Sequence, residues 1–469
     1  MLIMKFGGTS VGSGELILKT ANLIKSEERE KVVVVSAMSG VTNKLEEIIK
    51  KLPDLPVSVV EREVNEFCDA LFEQHKEAAE KAINDREILD YTINEITNLL
   101  NQLKIILLGI GYLEEATPKF KDIILSFGER LSVLLVSGAL NSIGVKSHAF
   151  TGYEAGIVTD SHFGRARPIH KKTEKSVREK LFTIISGGIT PVVTGFIAAN
   201  ENAVVTTLGR GGSDYSAALL GRYLNAEEVQ IWTDVNGILS TDPKIVPGAK
   251  LISELSYIEA MDLAYFGAKV IHSKMIEPAM VADIPVRVKN TFNPGNEGTL
   301  IVREEKKIEN VVKAVAISRD LVIINLGGIG MAETPGIAGK IFTVLGENNI
   351  NIIMISGSSE ANLSFVVHKN DMNKAVELLN KFKDNGIRDI GLMENKSIIT
   401  IVGSGMRGAR GLAAKVFRTA AENDVNIIMI AQGSSEVNIS FVVEGEDGDK
   451  VIQALHREFI NTGTSQGIY

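Results

Sequence analysis

The strongest constraint on this chain is that its C-terminal third is written twice. INIIMISGSSEANLSFVV (350–367) is matched by VNIIMIAQGSSEVNISFVV (425–443), with NIIMI, GSSE and N-x-S-F-V-V recurring around one inserted residue. Upstream, GIAGKIF (336–342) is matched by GLAAKVF (411–417). Each copy reads strand, Gly-rich turn, helix, strand, strand, helix. Such a βαββαβ unit makes one four-stranded sheet covered by two helices, so two small α+β domains are expected. The copies differ at their ends. The first continues into IRDIGLMEN (387–395), a plausible fourth strand, whereas the second is followed only by NTGTSQGIY, a poor one. VVKAVAISR (311–319) carries the missing pattern. The second module is therefore expected to consist of 311–319 and 396–469, with the first, 320–395, inserted within it.

The first 300 or so residues alternate apolar runs with helical patterns, as in an α/β domain with a mostly parallel sheet. Strands are predicted at 2–6, 31–37, 145–150, 191–198, 228–232 and 285–290, and helices at 14–30, 42–52, 126–143, 173–186, 213–224 and 255–281. The Glu/Lys/Asn-rich stretch 59–107 reads as a helical insertion on one side of the sheet or as an oligomer contact. At 469 residues the chain has room for about three domains, and 45% hydrophobic with 23% charged residues is an ordinary globular composition. A formal charge of −8 without a basic cluster argues against a nucleic-acid partner. One cysteine, Cys68, and seven scattered histidines offer neither an intrachain disulfide nor a zinc-ligand spacing. No apolar run is expected to approach the roughly 18 residues of a membrane span, and MLIMKFGGTS reads as a strand entering a glycine loop rather than a signal peptide. A cytoplasmic protein is the expectation.

Four loops rich in small residues each follow a predicted strand: FGGTS (6–10), SAMSGVT (36–42), TTLGRGGSD (206–214) and WTDVNG (232–237). In an open parallel sheet such loops converge outside the carboxyl ends of the strands, where ligands bind. Small residues let backbone N–H groups and helix N-termini approach phosphates. None has the spacing of a P-loop or of the dinucleotide fingerprint, so phosphate binding by a third architecture is implied. Lys5, at the end of the first strand, is either a snorkelling edge lysine or a phosphate cation. Arg210, between glycines, is either a solvated loop residue or a bidentate carboxylate clamp. Asp214 and Glu129 both also read as helix-terminal acids, Glu129 beside a capping Ser126. His272 and Trp232 read as packing residues.

KFGGTS, FGER (127–130), TTLGRGGSD, WTDVNG and FGAKV (266–270), in this order and followed by the paired modules, resemble the aspartate kinases. These are members of the amino-acid kinase superfamily that carry C-terminal ACT domains. The resemblance covers essentially the whole chain. It implies an amino-acid-kinase three-layer α/β sandwich over 1–303 followed by two ACT domains, without a fused homoserine dehydrogenase, as in the monofunctional enzymes. By the resemblance, Lys5 contacts the transferring phosphoryl group, Gly7, Gly8 and Ser10 approach the nucleotide phosphates, and Asp214 organises Lys5. Ser36, Thr42, Glu129 and Arg210 match aspartate-binding positions, Glu129 taking the ammonium and Arg210 a carboxylate. Thr233, Asp234, Leu239, Lys244 and Lys269 match nucleotide positions, although Leu239 and Lys244 stand where some relatives have Tyr and Arg.

The reaction implied is ATP plus L-aspartate giving ADP and 4-phospho-L-aspartate, with Mg²⁺ carried by the nucleotide and no protein metal site. It opens the route to lysine, threonine and methionine. A carboxylate acceptor is already ionised at neutral pH, so no general base is needed. Other readings are another kinase of this fold, acting on acetylglutamate, glutamate or uridylate, or a non-catalytic ACT sensor of amino acids. ACT modules bind amino acids between paired sheets, which implies at least a homodimer. The first copy offers Gly336, Ile337, Ala338, Asn351, Ile352 and Ser356 as effector positions. Threonine is favoured over lysine, because the long insertion resembles threonine-sensitive members and no acid in these segments is placed to receive a lysine ammonium.

Overall fold

The computed structural model describes residues 1–267, 270–304, 311–327, 336–359, 362–383, 387–433 and 435–461. It forms two compact units. The first is Met1–Ile238, Ser253–Tyr257 and Val270–Glu304, and the second is Leu239–Ile252, Ile258–Lys269 and Glu305–Tyr469.

In the first unit the strands are β1 (Leu2–Phe6), β2 (Lys31–Val35), β3 (Ser147–Phe150), β4 (Val158–Thr159), β5 (Thr190–Thr194), β6 (Ile197–Asn200), β7 (Val205–Thr207), β8 (Glu228–Thr233), β9 (Glu254–Ser256), β10 (Val286–Asn290) and β11 (Thr299–Val302). The helices are α1 (Gly14–Ser26), α2 (Val41–Lys51), α3 (Val57–Ala82), α4 (Arg86–Leu113), α5 (Pro118–Ser142), α6 (His170–Ser186) and α7 (Gly212–Leu224). Next in chain order come α8 (Tyr257–Phe266), which from Ile258 onward belongs to the second unit, and α9 (Ser273–Ala282), in the first. An eight-stranded sheet runs β3–β5–β2–β1–β8–β10–β11–β9. Its pairings are parallel except β10 with β11. All five residues of β1 are buried, as expected of a strand covered on both faces. The chain leaves β1 for β2 on one side and returns only after α7 to add β8 on the other, so a topological switch point lies at the carboxyl ends of β1 and β8. That is where an open α/β sheet binds its ligand.

Three local expectations are corrected. The run 191–198 is not one strand: it turns at Phe196 (φ 65°) and passes from the large sheet into a small one, β4–β6–β7. The helix predicted from 126 begins at Pro118, where the Thr117 side chain accepts the Phe120 N–H. Ser126 is therefore no cap; its hydroxyl donates back to the Ile123 carbonyl, and Glu129 stands mid-helix. The helix predicted over 255–281 is two, interrupted at Gly267 (φ 133°). The insertion is the pair α3 and α4, joined by a turn in which Asp85 caps α4. Val60, Val64, Leu71, Leu103 and Leu107 are buried in the core that the pair shares with α1 and α5. Helices α4 and α5 are also long and apolar enough to cross a membrane by length and composition, although charged residues interrupt their apolar runs. Most of the apolar stretch of α5 is buried inside the unit.

The second unit carries the repeats: β12 (Ala314–Gly327), α10 (Ile337–Glu347), β13 (Met354–Ser359), β14 (Asn362–His368), α11 (Met372–Asn380), β15 (Asp389–Val402), α12 (Leu412–Glu422), β16 (Met429–Ala431), β17 (Asn438–Glu444) and α13 (Gly448–His456). Rather than two separate sheets they build one of six strands, β13–β14–β12–β15–β17–β16, because β12 and β15 run through both repeats. Residues 314–318 pair with 398–402 of the second repeat, and 321–327 pair with β14 and with 389–396 of the first. The left-handed residues Asp320 (φ 58°) and Asn395 (φ 52°) lie where one long strand passes from one repeat to the other. Equivalent positions pack alike: Phe342 meets Phe365 edge-on at 6.2 Å, and Phe417 meets Phe441 at 6.0 Å.

Two stretches of the first 303 residues pack with the repeats. The Ser240 carbonyl accepts the Val315 N–H at 2.8 Å, and its hydroxyl lies 2.8 Å from His456 Nε2. In α8, fully buried Glu259 faces Lys313 at 3.4 Å and accepts the Ser404 N–H. Asp262 accepts from the Asn438 amide at 2.7 Å, and the Tyr265 hydroxyl donates to the Ile352 carbonyl at 3.1 Å.

Candidate active site

The site is built on the loops after β1, β2, β7 and β8. The β1 loop is drawn to β8 by a hydrogen bond from the Gly7 N–H to the Trp232 carbonyl, 3.1 Å, and the Ser36 N–H donates to Phe6 O at 3.2 Å. Lys5, 9% exposed, ends the buried strand with its Nζ 2.6 Å from Asp214 Oδ1 in the first turn of α7. The contact lies off the direction of a hydrogen bond, so the pair is held by charge and the carboxylate oxygen keeps its accepting capacity. The ammonium is thereby aimed rather than left to snorkel.

Glu129 is buried in α5. Its Oε1 accepts the Ala37 N–H at 3.2 Å, while Oε2 is buried with no hydrogen-bond partner among the described residues. Burial pushes its carboxyl up from 4.5 to about 8, against the Ala37 hydrogen bond and the nearby Lys5 charge, which pull it down. Gly128 permits this approach, since a Cβ there would stand 2.8 Å from that of Ala37. Arg210 is exposed between Gly209 (φ 76°) and Gly211 (φ 72°), left-handed conformations that favour glycine. It makes no ion pair with another described residue. Thr42 is half-buried in the first turn of α2, whose N-cap, Gly40, offers no side chain to its N–H groups.

Ser10 is fully buried and its hydroxyl lies 2.7 Å from that of Thr291, which braces the β1 loop from inside. Thr233 donates to the exposed Asp234 carboxylate at 3.0 Å. Leu239 and exposed Lys244 belong to the segment that packs with the repeats, and Lys269 lies outside the described residues. His272 does more than pack: its Nδ1 accepts the Lys274 N–H and caps α9, and its ring occupies the space a Cβ on Gly211 would need. Trp232 is a packing residue, stacked on Phe6 at 5.9 Å.

At the predicted effector positions, Gly336 (φ 83°) precedes α10, and the Ile337 side chain is in the module core, which leaves its backbone N–H as a first-turn donor. Asn351 is exposed, and Ala338, Ile352 and Ser356 are half-buried. The sequence analysis missed Asp122 and Tyr265. An acid inside the apolar run KFKDIILSF, two turns before Glu129, was the available signal for the first. Nothing local marked the second. Among the described residues no group of three His, Cys, Asp or Glu side chains is placed to hold a metal ion.

The amino acid kinase family model matches residues 1–290, and the ACT domain model matches 324–381 and 399–459. Aspartokinase 2, chloroplastic, of Arabidopsis thaliana is 35% identical over 98% of this chain and 84% of that protein. The crystal structure of E. coli aspartokinase III in complex with aspartate and ADP superposes with a TM-score of 0.85. It is 30% identical and covers 99% of this chain and 100% of that one. The same enzyme in complex with lysine and aspartate gives a TM-score of 0.79, at 30% identity over 98% and 99% of the two chains. The chain belongs to the amino acid kinase family. Within it, this is an aspartate kinase with ACT domains.

Proposed function

We propose that the β-carboxylate of L-aspartate attacks the γ-phosphorus of ATP at the switch point between β1 and β8. The bond to the ADP oxygen breaks as the acyl phosphate forms. The observation that carries this is the partnerless Oε2 of buried Glu129, near enough to Lys5 to feel its charge, while Arg210 on the β7 loop makes no ion pair with another described residue. A substrate ammonium would supply the missing donor and draw the Glu129 proton off. Arg210 would hold a carboxylate through its planar fork. Ser36 and Thr42 would complete the aspartate seat. Lys5, aimed by Asp214, would meet the negative charge that gathers on the transferring phosphoryl oxygens. Gly7 and Gly8 would present backbone N–H groups to the phosphates. Thr233, Asp234, Leu239, Lys244 and Lys269 would serve the nucleotide. Mg²⁺ bound with ATP supplies further neutralisation of phosphate charge. No proton has to leave the acceptor, because a β-carboxylate has a reference pKa near 4.

The product would feed the biosynthesis of lysine, threonine and methionine. We divide the chain into a catalytic domain, 1–303, a first ACT domain, 320–395, and a second made of 311–319 and 396–469. Feedback inhibition is assigned to the first, through backbone groups at Gly336–Ala338 and residues Asn351, Ile352 and Ser356, in a homodimer or larger assembly. Threonine is the favoured effector. Lysine is the rival, since the E. coli relative was crystallised with it. Coupled ADP-release assays with aspartate, glutamate and uridylate, run with each amino acid added, test both assignments. Turnover without aspartate dependence overturns the first. Inhibition by lysine alone, or threonine inhibition that survives Asn351→Ala, overturns the second.

A further inference from the structure

We propose that Asp122 is a positioning residue that fixes the spacing between the ammonium seat at Glu129 and the carboxylate clamp at Arg210, and so the length of substrate accepted. This rests on the roles given above to those two residues. Asp122 and Glu129 are seven residues apart on α5, about two turns, and so share one face of the helix. Asp122 is 1% exposed, yet among the described residues no cation is bonded to it. Instead Oδ1 accepts from the Gly164 N–H at 2.9 Å and the Thr207 hydroxyl at 2.8 Å, and Oδ2 accepts from Gly164 and Thr207 N–H groups, both at 2.9 Å. A buried carboxylate tolerates that setting only when its oxygens are met by well-placed donors.

The two partners are the flank of the arginine loop. Thr207 ends β7, its carbonyl accepts the Ala166 N–H at 2.8 Å, and Gly209 follows two residues later. A Cβ on Gly209 would stand 3.0 Å from the Gly164 carbonyl and 3.5 Å from Arg165 Cα, so the chain entering Arg210 lies directly on the Gly164 turn. One rigid helix therefore carries Glu129 and, two turns away, the carboxylate that pins the base of the Arg210 loop. Aspartate and glutamate differ by one methylene, which a site of fixed span discriminates by about 10–200-fold.

Asp122→Asn keeps the shape but turns an amide N–H₂ toward donors. The expected result is a KM for aspartate raised at least about tenfold, with kcat within a few-fold and the KM for ATP unchanged. The aspartate-over-glutamate preference in kcat/KM should shrink in parallel. Thr207→Val, which removes only the hydroxyl donor, should move the same quantities less, and Thr207→Ser should restore them. If Asp122→Asn does not fold, the Thr207 pair decides. Parallel loss of kcat and of both KM values, or an unchanged aspartate-to-glutamate ratio in Thr207→Val, overturns the proposal. Glu129→Gln separates the two levels. If it leaves the aspartate KM unchanged, the site assignment itself fails; if it raises that KM while the Thr207 variants behave as wild type, only the role of Asp122 fails.

Discussion

Two glutamates, one in each unit, are taken out of water, and they are treated in opposite ways. Glu259 in α8 faces Lys313 and accepts the Ser404 N–H. Glu129 in α5 has one backbone donor and an empty oxygen, and its proton is held to about pH 8. A buried carboxylate given a cation and a donor contributes to fold specificity. One left half-unsatisfied is a standing cost that a ligand can relieve. The contrast separates the part of the molecule built to hold its shape from the part built to receive something.

The largest effect expected from breaking this contrast is on stability in the second unit. Glu259→Ala removes the carboxylate opposite Lys313 and the acceptor for Ser404, and should destabilise by about 3–5 kcal/mol. A melting curve within a degree of wild type would show that the buried pair does not hold the unit. Lys5→Ala should act almost wholly on chemistry, lowering kcat by about 10²–10³-fold with aspartate affinity preserved. Near-normal kcat with a raised KM would make Lys5 a binding residue instead.

Glu129→Gln tests the orphaned oxygen through pH. The folded-state value of about 8 lies above the ordinary 4.5, so the folded protein holds a proton that the unfolded chain releases over that window. Without aspartate, wild-type stability should therefore fall as pH rises from 4.5 to 8, and the Gln variant should lose that slope. Aspartate binding at pH 7 should release a proton from wild type and none from the variant, as read by calorimetry in two buffers. Equal proton release would place the titration elsewhere. The smallest change is expected from Tyr265→Phe, which removes a hydroxyl donating to the Ile352 carbonyl in the proposed effector segment. Inhibition should weaken a few-fold while uninhibited kcat stays unchanged. Unaltered inhibitor potency would disconnect α8 from effector binding.

Much of this was legible in the sequence, because much of it is local or repeated. Continuous apolar runs such as LIMKF and KVVVV specify strands buried on both faces. The NIIMI and N-x-S-F-V-V repeats predict the same Phe365 and Phe441 cores twice. Glycines beside Lys5 and Arg210 mark loops that backbone geometry alone restricts. The start of α5 was missed because Thr117 and Pro118 are weaker signals than the apolar run that follows.

Tertiary structure decided the remainder, through partners far apart in the chain. Asp122, ahead of the helix predicted from 126, shows its place only when residues 42 and 85 positions away supply its donors. The hydroxyl contact of Ser10 with Thr291 joins residues 281 positions apart. Residues 258–266 read as part of a catalytic helix, yet they pack with the repeats, because Glu259, Asp262 and Tyr265 find Lys313, Asn438 and Ile352 there. Residue type and spacing specify what a segment can bury and which turns it can make. Whether a polar atom is satisfied or left empty depends on which distant donor arrives, and that difference separates a structural carboxylate from a receptive one.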